Sequence, residues 1–216
     1  YDPQGTTLGT ELVQELESMD GVEATGHQYS HQFVWQFDDQ MTENLKGFYT
    51  EEMLNDWASY DPTGVDAFHQ AVDTRQMNAV IFGLDGIPLN TITQTQHIMQ
   101  GSFDPDAFAT GEYVLAIGPA IGAGEEYPVL PVPSVGSTVT LEGKDYTVMA
   151  VVYPVMSIDD GAAESGTPAS MEQHFILPAE AFRQNWPDNT LRKMFLDVDD
   201  EHIDAVQTWL DDYTAT

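Results

Sequence analysis

Cysteine is absent from the chain. Disulfides are thereby excluded, together with thiolate nucleophiles and Cys-ligated metal centres. Basic residues are nearly as scarce. Only 6 Lys and Arg stand against 36 Asp and Glu in 216 residues, a formal net charge of −30. Nucleic-acid binding depends on cations that neutralise phosphates, so this charge argues against it, as it does against docking on anionic lipid. The simplest reading of the charge is a solvated, self-repelling surface. Long apolar runs are missing too. No stretch approaches the ~20 residues of a membrane helix, and no signal-peptide pattern is present. The chain as given is expected to be soluble, and its abrupt ends are compatible with an excised domain.

What is present is enough for a core. Apolar residues make up 42% of the chain and aromatics 11%, which separates it from a disordered acidic tail. The length suits one large domain or two small ones. In residues 6–21, Leu8, Leu12, Leu16 and Met19 recur at helical spacing. From 26 the period changes to two. His27, Tyr29, His31, Phe33, Trp35 and Phe37 share one face of a strand; Gln28, Ser30, Gln32 and Gln36 share the other. Thr50 is placed to cap a short helix with Met53, Leu54 and Trp57. Asp61-Pro62 starts another, with Val65, Phe68 and Val72 on one face. Residues 78–86 read as a strand ending in a turn.

Between about 85 and 170 helical periodicity fades, and Gly and Pro punctuate short strands at 112–118, 137–143 and 145–152. "VGSTVTLEGKDYTVMAVV" (135–152) reads as a hairpin, with Gly143-Lys144 as a II′ turn and Val139, Leu141, Tyr146, Val148, Ala150 and Val152 on a common face. Residues 124–133 form a Pro-rich connection, and 157–173 are small and polar. The last segment returns to alternation: a strand at 174–178, a helix at 179–186 stopped by Pro187, and a strand at 192–198. A final helix capped by Asp199 or Asp200 carries Ile203, Val206, Leu210 and Tyr213 on one face. The two α/β ends are expected to fold together around a β-rich middle, an α+β class.

No residues read as catalytic, cofactor-binding or metal-ligating. His27 and His31 are four apart, which on a strand separates them by ~13 Å, too far for one ion. They read as rim positions of an aromatic strand face. His69, His97, His174 and His202 show no ligand spacing. "FDPDAFATGE" (103–112) offers Asp104, Asp106 and Glu112. It places Phe108 and Ala109 where a calcium loop needs an oxygen ligand and a glycine, so it reads as a turn and loop, with calcium binding as the lesser alternative. Residues 197–201 read as a strand end and helix cap, and Asp159-Asp160 as a turn. "GPAIGAG" (118–124) lacks the Lys-Ser/Thr of a phosphate loop, and no G-x-S-x-G or H-E-x-x-H occurs. A carboxylate pair for glycoside hydrolysis carries no signal in so acidic a chain.

In order and spacing these pieces resemble the extracytoplasmic core domain of MacB-type ABC-transporter permeases, the group that includes FtsX-like and lipoprotein-releasing permeases. The resemblance lies in the opening helix followed by "MDGVEATGHQYSHQF" (19–33), in "AVIFGLDG" (79–86), and in "IMQGSFDPDAFATGEYVLAIGPAI" (98–121). It continues through the 135–152 hairpin and "RKMFLDVDDEHIDAVQTWL" (192–210). Ser102, Ser137 and Ala150 stand where the family pattern has an arginine, an acid and a glycine.

The resemblance implies a porter-like α/β subdomain from residues 1–80 and 172–216, and a β-rich, sabre-like subdomain from 81–171. It implies a domain outside the cell membrane, on the extracellular or periplasmic side, carried by a permease whose cytoplasmic ABC ATPase hydrolyses ATP. The domain would have no active site and no cofactor of its own. The implied partners are that ATPase, a second permease copy or a sister permease, and outside the membrane a partner protein or a peptide or lipid substrate, with no nucleic acid. Two other readings fit the residues: a secreted or surface ligand-binding module, and a carboxylate-based hydrolase.

Overall fold

The computed structural model describes residues 9–118, 132–153 and 172–214. Leu8, the 119–131 connection, the 154–171 segment with Asp159-Asp160, and most of "GPAIGAG" lie outside the described residues. Helix α1 (Thr10–Glu17) buries Leu12 and Leu16 and leads into the long strand β1 (Val22–Gln36). The outer face of β1 is not uniformly open. Gln28 is buried where a later helix packs on the start of the strand, whereas Val34, near its end, is 61% exposed.

Three helices follow, each started by a side-chain oxygen that accepts from a free backbone N–H. Asp38 accepts from Met41 N at 2.8 Å to open α2 (Asp39–Phe48). Thr50 accepts from Met53 N at 3.2 Å to open α3 (Glu51–Tyr60). Asp61 accepts from Gly64 N at 2.9 Å to open α4 (Pro62–Thr74). Helix α2 was not legible beforehand; Met41 and Leu45 are its buried apolar residues. Strand β2 (Gln76–Leu84) then pairs antiparallel with β1. After α5 (Gly86–Ile92) come β3 (Ile98–Gly101), α6 (Pro105–Ala109), β4 (Tyr113–Ile117), β5 (Thr138–Leu141) and β6 (Lys144–Val152). The described chain closes with β7 (Glu172–Pro178), α7 (Ala179–Asn185), β8 (Leu191–Val198) and α8 (Ile203–Thr214).

Among the described residues eight strands form one mixed sheet in the order β3-β6-β4-β7-β2-β1-β8, with β5 paired to β6. Strands from the two chain ends are neighbours (β7-β2-β1-β8), as are those of the middle segment (β3, β5, β6, β4). The halves are not separate sheets: Leu115 pairs with Ile176 and Ala116 with Phe175, so β4 and β7 join them. Helices α2, α3, α4 and α7 cover one face, packing Trp35, Trp57, Phe68 and Phe182 with Ile81, Phe175 and Tyr146. Helices α5 and α6 cover the other, packing Ile92 and Phe108 with Phe82, Leu115 and Ile176.

The 135–152 hairpin differs from its sequence reading in two ways. Leu141 pairs with Lys144, so the turn is Glu142-Gly143. Both residues have positive φ, 47° and 85°, which makes it a I′ turn, whose twist matches that of the flanking strands. The second difference is a bulge. Val114 pairs with Val148 but Leu115 with Ala150, leaving Met149 as the extra residue. The bulge sends Tyr146 and Val148 to one core and Ala150 and Val152 to the other. The face expected on α8 is likewise only partly covered: Val206 is buried, but Ile203 is 49% and Tyr213 51% exposed.

Burial pushes the Tyr49 and Tyr146 hydroxyls up from 10.0 to about 12. The fold therefore favours their neutral forms. The stability they confer is complete below the unfolded value near 10 and is lost as pH rises through about 12. In an alkaline titration followed by phenolate absorbance, these two of the nine tyrosines should ionise last, together with loss of the fold. Their ionisation with the exposed tyrosines, fold intact, would contradict this.

Candidate functional site

His27 and His31 share a strand face but serve different partners. The His27 backbone N–H donates to Asp85 Oδ1 at 2.7 Å, and its ring Nδ1 lies 2.9 Å from the same oxygen. Its Nε2 lies 3.3 Å from Glu17 Oε1. His27 thus ties α1 and the β2–α5 corner to β1.

His31 meets the hairpin turn, 111 residues away. Its Nε2 is 2.8 Å from Glu142 Oε2, and its Nδ1 is 2.9 Å from Asn189 Nδ2. With the Asn189 amide donating to Nδ1, the ring proton sits on Nε2 and is donated to Glu142. Trp186 Nε1–H donates to the same Glu142 oxygen at 2.6 Å and stacks on the His31 ring at a centroid distance of 5.2 Å. Nearby, Asn185 Nδ2 donates to the Tyr146 hydroxyl at 3.0 Å. These bonds clamp the tip of the β5–β6 hairpin across the sheet face onto β1 and the end of α7. Both ring nitrogens of His31 are engaged by Glu142 and Asn189, and Lys144 Nζ donates to Asn185 Oδ1 at 3.4 Å beside the Tyr146 ring rather than to His31, so the geometry is that of a brace rather than of a base beside a nucleophile.

Replacing Glu142 by Ala removes the acceptor for two donors and should cost about 1–3 kcal/mol in denaturant unfolding. Glu142→Gln keeps one acceptor oxygen and should cost less. Equal losses, or none in either variant, would contradict the brace.

The remaining histidines are dispersed. His69 lies edge-on to Phe68, His97 forms backbone bonds beside β3, and His174 Nε2 is 3.2 Å from Glu172. His202 Nδ1 is 2.7 Å from Asp199 Oδ1, and this bond is the main cause holding the Asp199 carboxyl below its ordinary value. Asp104 caps α6, accepting from Asp106 N at 3.0 Å and Ala107 N at 3.1 Å, so the segment read as a turn and loop is a short helix. Among the described residues no group of three or more His, Cys, Asp or Glu could hold a metal ion. Nor, among them, is any helix long and apolar enough to cross a membrane.

No protein-family model matches the chain, and no curated protein matches it. Solved structures do. The extracellular domain of the noncanonic ABC-type transporter YknZ from Gram-positive bacteria superposes with a TM-score of 0.50 at 10% identity, over 94% of this chain and 79% of that one. The chain has the fold of an ABC-transporter extracellular domain. The periplasmic region of MacB from Actinobacillus actinomycetemcomitans also matches, with a TM-score of 0.48 at 9% identity, over 90% of this chain and 66% of that one.

A cleft of about 140 Å³ lies between the end of β1 with the start of α2, and strand β5. Trp35, Phe37, Met41 and Val139 supply its apolar walls; Gln36, Ser137 and Thr140 are among its polar ones. The sequence placed Trp35 on a core face but gave no sign that β5 would stand opposite it.

Proposed function

We propose that the domain is the extracytoplasmic part of an ABC-transporter permease, held outside the membrane between two membrane helices, with no chemistry of its own. The observation that carries this reading is the fold likeness over 94% of the chain to a transporter's extracellular domain. The way the chain enters and leaves the sheet supports it. Val22 at the start of β1 pairs with Val198 at the end of β8, and Asp199 N–H donates to Gly21 O at 2.9 Å. Helices α1 and α8 therefore join the sheet at one corner, as a chain leaving a membrane and returning to it requires.

In this reading residues 1–80 and 172–216 are the porter-like half and 81–171 the sabre-like half. The Glu142 brace and the β4–β7 pairing hold the halves together while motion passes through them. A cytoplasmic ABC ATPase supplies that motion, and a second permease copy or a sister permease completes the transporter.

The gene around this segment tests the reading. An apolar span of ~20 residues should precede residue 1 and another should follow residue 216, with an ATP-binding cassette on the same chain or encoded beside it. The full-length product should co-purify with that ATPase. A secretory signal before the segment and a stop codon soon after it would overturn the transporter reading and leave a secreted binding module.

A further inference from the structure

His27 has a carboxylate on each side of its ring. Asp85 Oδ1 lies 2.9 Å from Nδ1 and Glu17 Oε1 lies 3.3 Å from Nε2, with the His27 side chain only 15% exposed. An ionised carboxylate accepts hydrogen bonds and donates none, and a neutral imidazole has a single N–H. Both contacts are hydrogen bonds only when the ring carries two protons and a positive charge. The two carboxylates are not held alike. Asp85 Oδ1 also accepts the His27 backbone N–H at 2.7 Å, and the Asp85 N–H donates back to His27 O at 3.3 Å. Asp85 stands at the N-cap position of α5 but makes no side-chain bond to that helix, so its carboxylate is committed to His27. Glu17 reaches the ring from the last residue of α1, at the longer distance. Helix α1 buries two residues, Leu12 and Leu16.

We propose that His27 is a pH-operated latch on α1. The charged ring bonds both carboxylates and holds the end of α1 against the sheet. The neutral ring keeps its proton on Nδ1, in the clamped Asp85 bond, and turns a lone pair toward Glu17. The ring then no longer ties Glu17, and α1 is held through Leu12 and Leu16. Hold is lost as pH rises, the sign expected of a bond that needs imidazolium. The neighbours leave Glu17 and Asp85 in charge of the ring. Strand β8 sets Met194 opposite His27 and Lys193 opposite Gln28, and α5 has no titratable residue. On the same face of β1, Tyr29 has its hydroxyl pushed up by burial and the Arg183 guanidinium of α7 over its ring at 5.9 Å. His31, farther along, faces Glu142 and Asn189. The latch does not depend on the transporter reading. Within that reading α1 is where the chain enters the sheet, and the pH outside the cell sets how stiffly it does so.

Amide exchange of the 216-residue chain, corrected for its intrinsic pH dependence, tests the latch. Nitrogen-15 shifts of the His27 ring report where its protons are. Protection at Leu16 and Glu17 should fall roughly fivefold from about pH 5.5 to about pH 8.5, the scale of one half-exposed charged hydrogen bond. Over the same range the ring should lose its Nε2 proton and keep that on Nδ1. Glu17→Gln supplies an amide that accepts from the charged ring and donates to the neutral one, so α1 protection should become independent of pH. Glu17→Ala should show the lower protection at both values. Equal protection at the two pH values in the unsubstituted chain would overturn the proposal, as would a ring that keeps Nε2–H when it becomes neutral. A pH response that survives in Glu17→Gln would trace it to His31 or to the acidic surface and would overturn it too.

Discussion

The melting temperature of this domain should climb steeply with monovalent salt. Thirty uncompensated negative charges must be brought together when the chain folds. Spread over a sphere of about 22 Å radius, and net of the expanded chain, they shed on the order of 10 kcal/mol of repulsion between about 0.15 M and about 1 M salt. Uniform spreading makes this an upper limit, yet it matches the whole stability of a typical domain, about 5–15 kcal/mol. Few cations offset it locally: Lys46 pairs with Glu43 at 3.4 Å, and Arg75 pairs with Asp39, both on the exposed surface. A rise on the order of 10 °C across that range is expected. Sucrose, which stabilises by exclusion without screening, is the control. A melting temperature that is flat in sodium chloride would show that self-repulsion does not limit this fold.

The largest loss from a single added methyl group should come at Gly86. This residue opens α5 with φ 50°, and a Cβ there would lie 2.0 Å from the Thr25 carbonyl oxygen of β1. Backbone cannot retreat from that approach without breaking the β1 pairing beside it, where the Asp85 N–H donates to His27 O. The left-handed conformation alone costs a non-glycine residue about 1–2 kcal/mol. Gly86→Ala is expected to destabilise by about 3 kcal/mol or more, in the range of severe core substitutions. Gly47 gives the opposite case. It lies in α2 with nothing within 4 Å of its missing Cβ, so Gly47→Ala should stabilise by about 0.5–1 kcal/mol. Equal effects at the two positions would show that the contact between α5 and β1 is looser than described here.

The elements were legible where local chemistry decides them. Thr50 and Asp61 announced α3 and α4, and the Tyr29–Phe37 alternation announced β1. Features set by distant partners were hidden. The Met149 bulge depends on which strand lies beside β6, and nothing in "DYTVMAVV" displays that neighbour. The I′ turn at Glu142 depends on pairing register, and a Glu with φ 47° is not what composition suggests for it. His31 drew notice for its spacing from His27, whereas its real partners, Glu142, Trp186 and Asn189, are 111 or more residues away. The change of periodicity suggested grouping the end strands apart from the middle strands. Their union in one sheet through β4 and β7 was not legible, because short apolar strands carry no mark of the sheet they will join.

The absence of cysteine makes the central claim directly measurable. Tyr60 is 68% exposed, so a single Tyr60→Cys substitution in the full-length product provides one accessible thiol in this domain. Intact cells are treated with a membrane-impermeant maleimide, and membranes are then washed at high pH. If the domain is the extracytoplasmic part of a permease, the thiol is labelled without lysis and the labelled protein stays with the washed membranes. A thiol that reacts only after lysis, or a labelled protein released into the soluble fraction, would contradict the account.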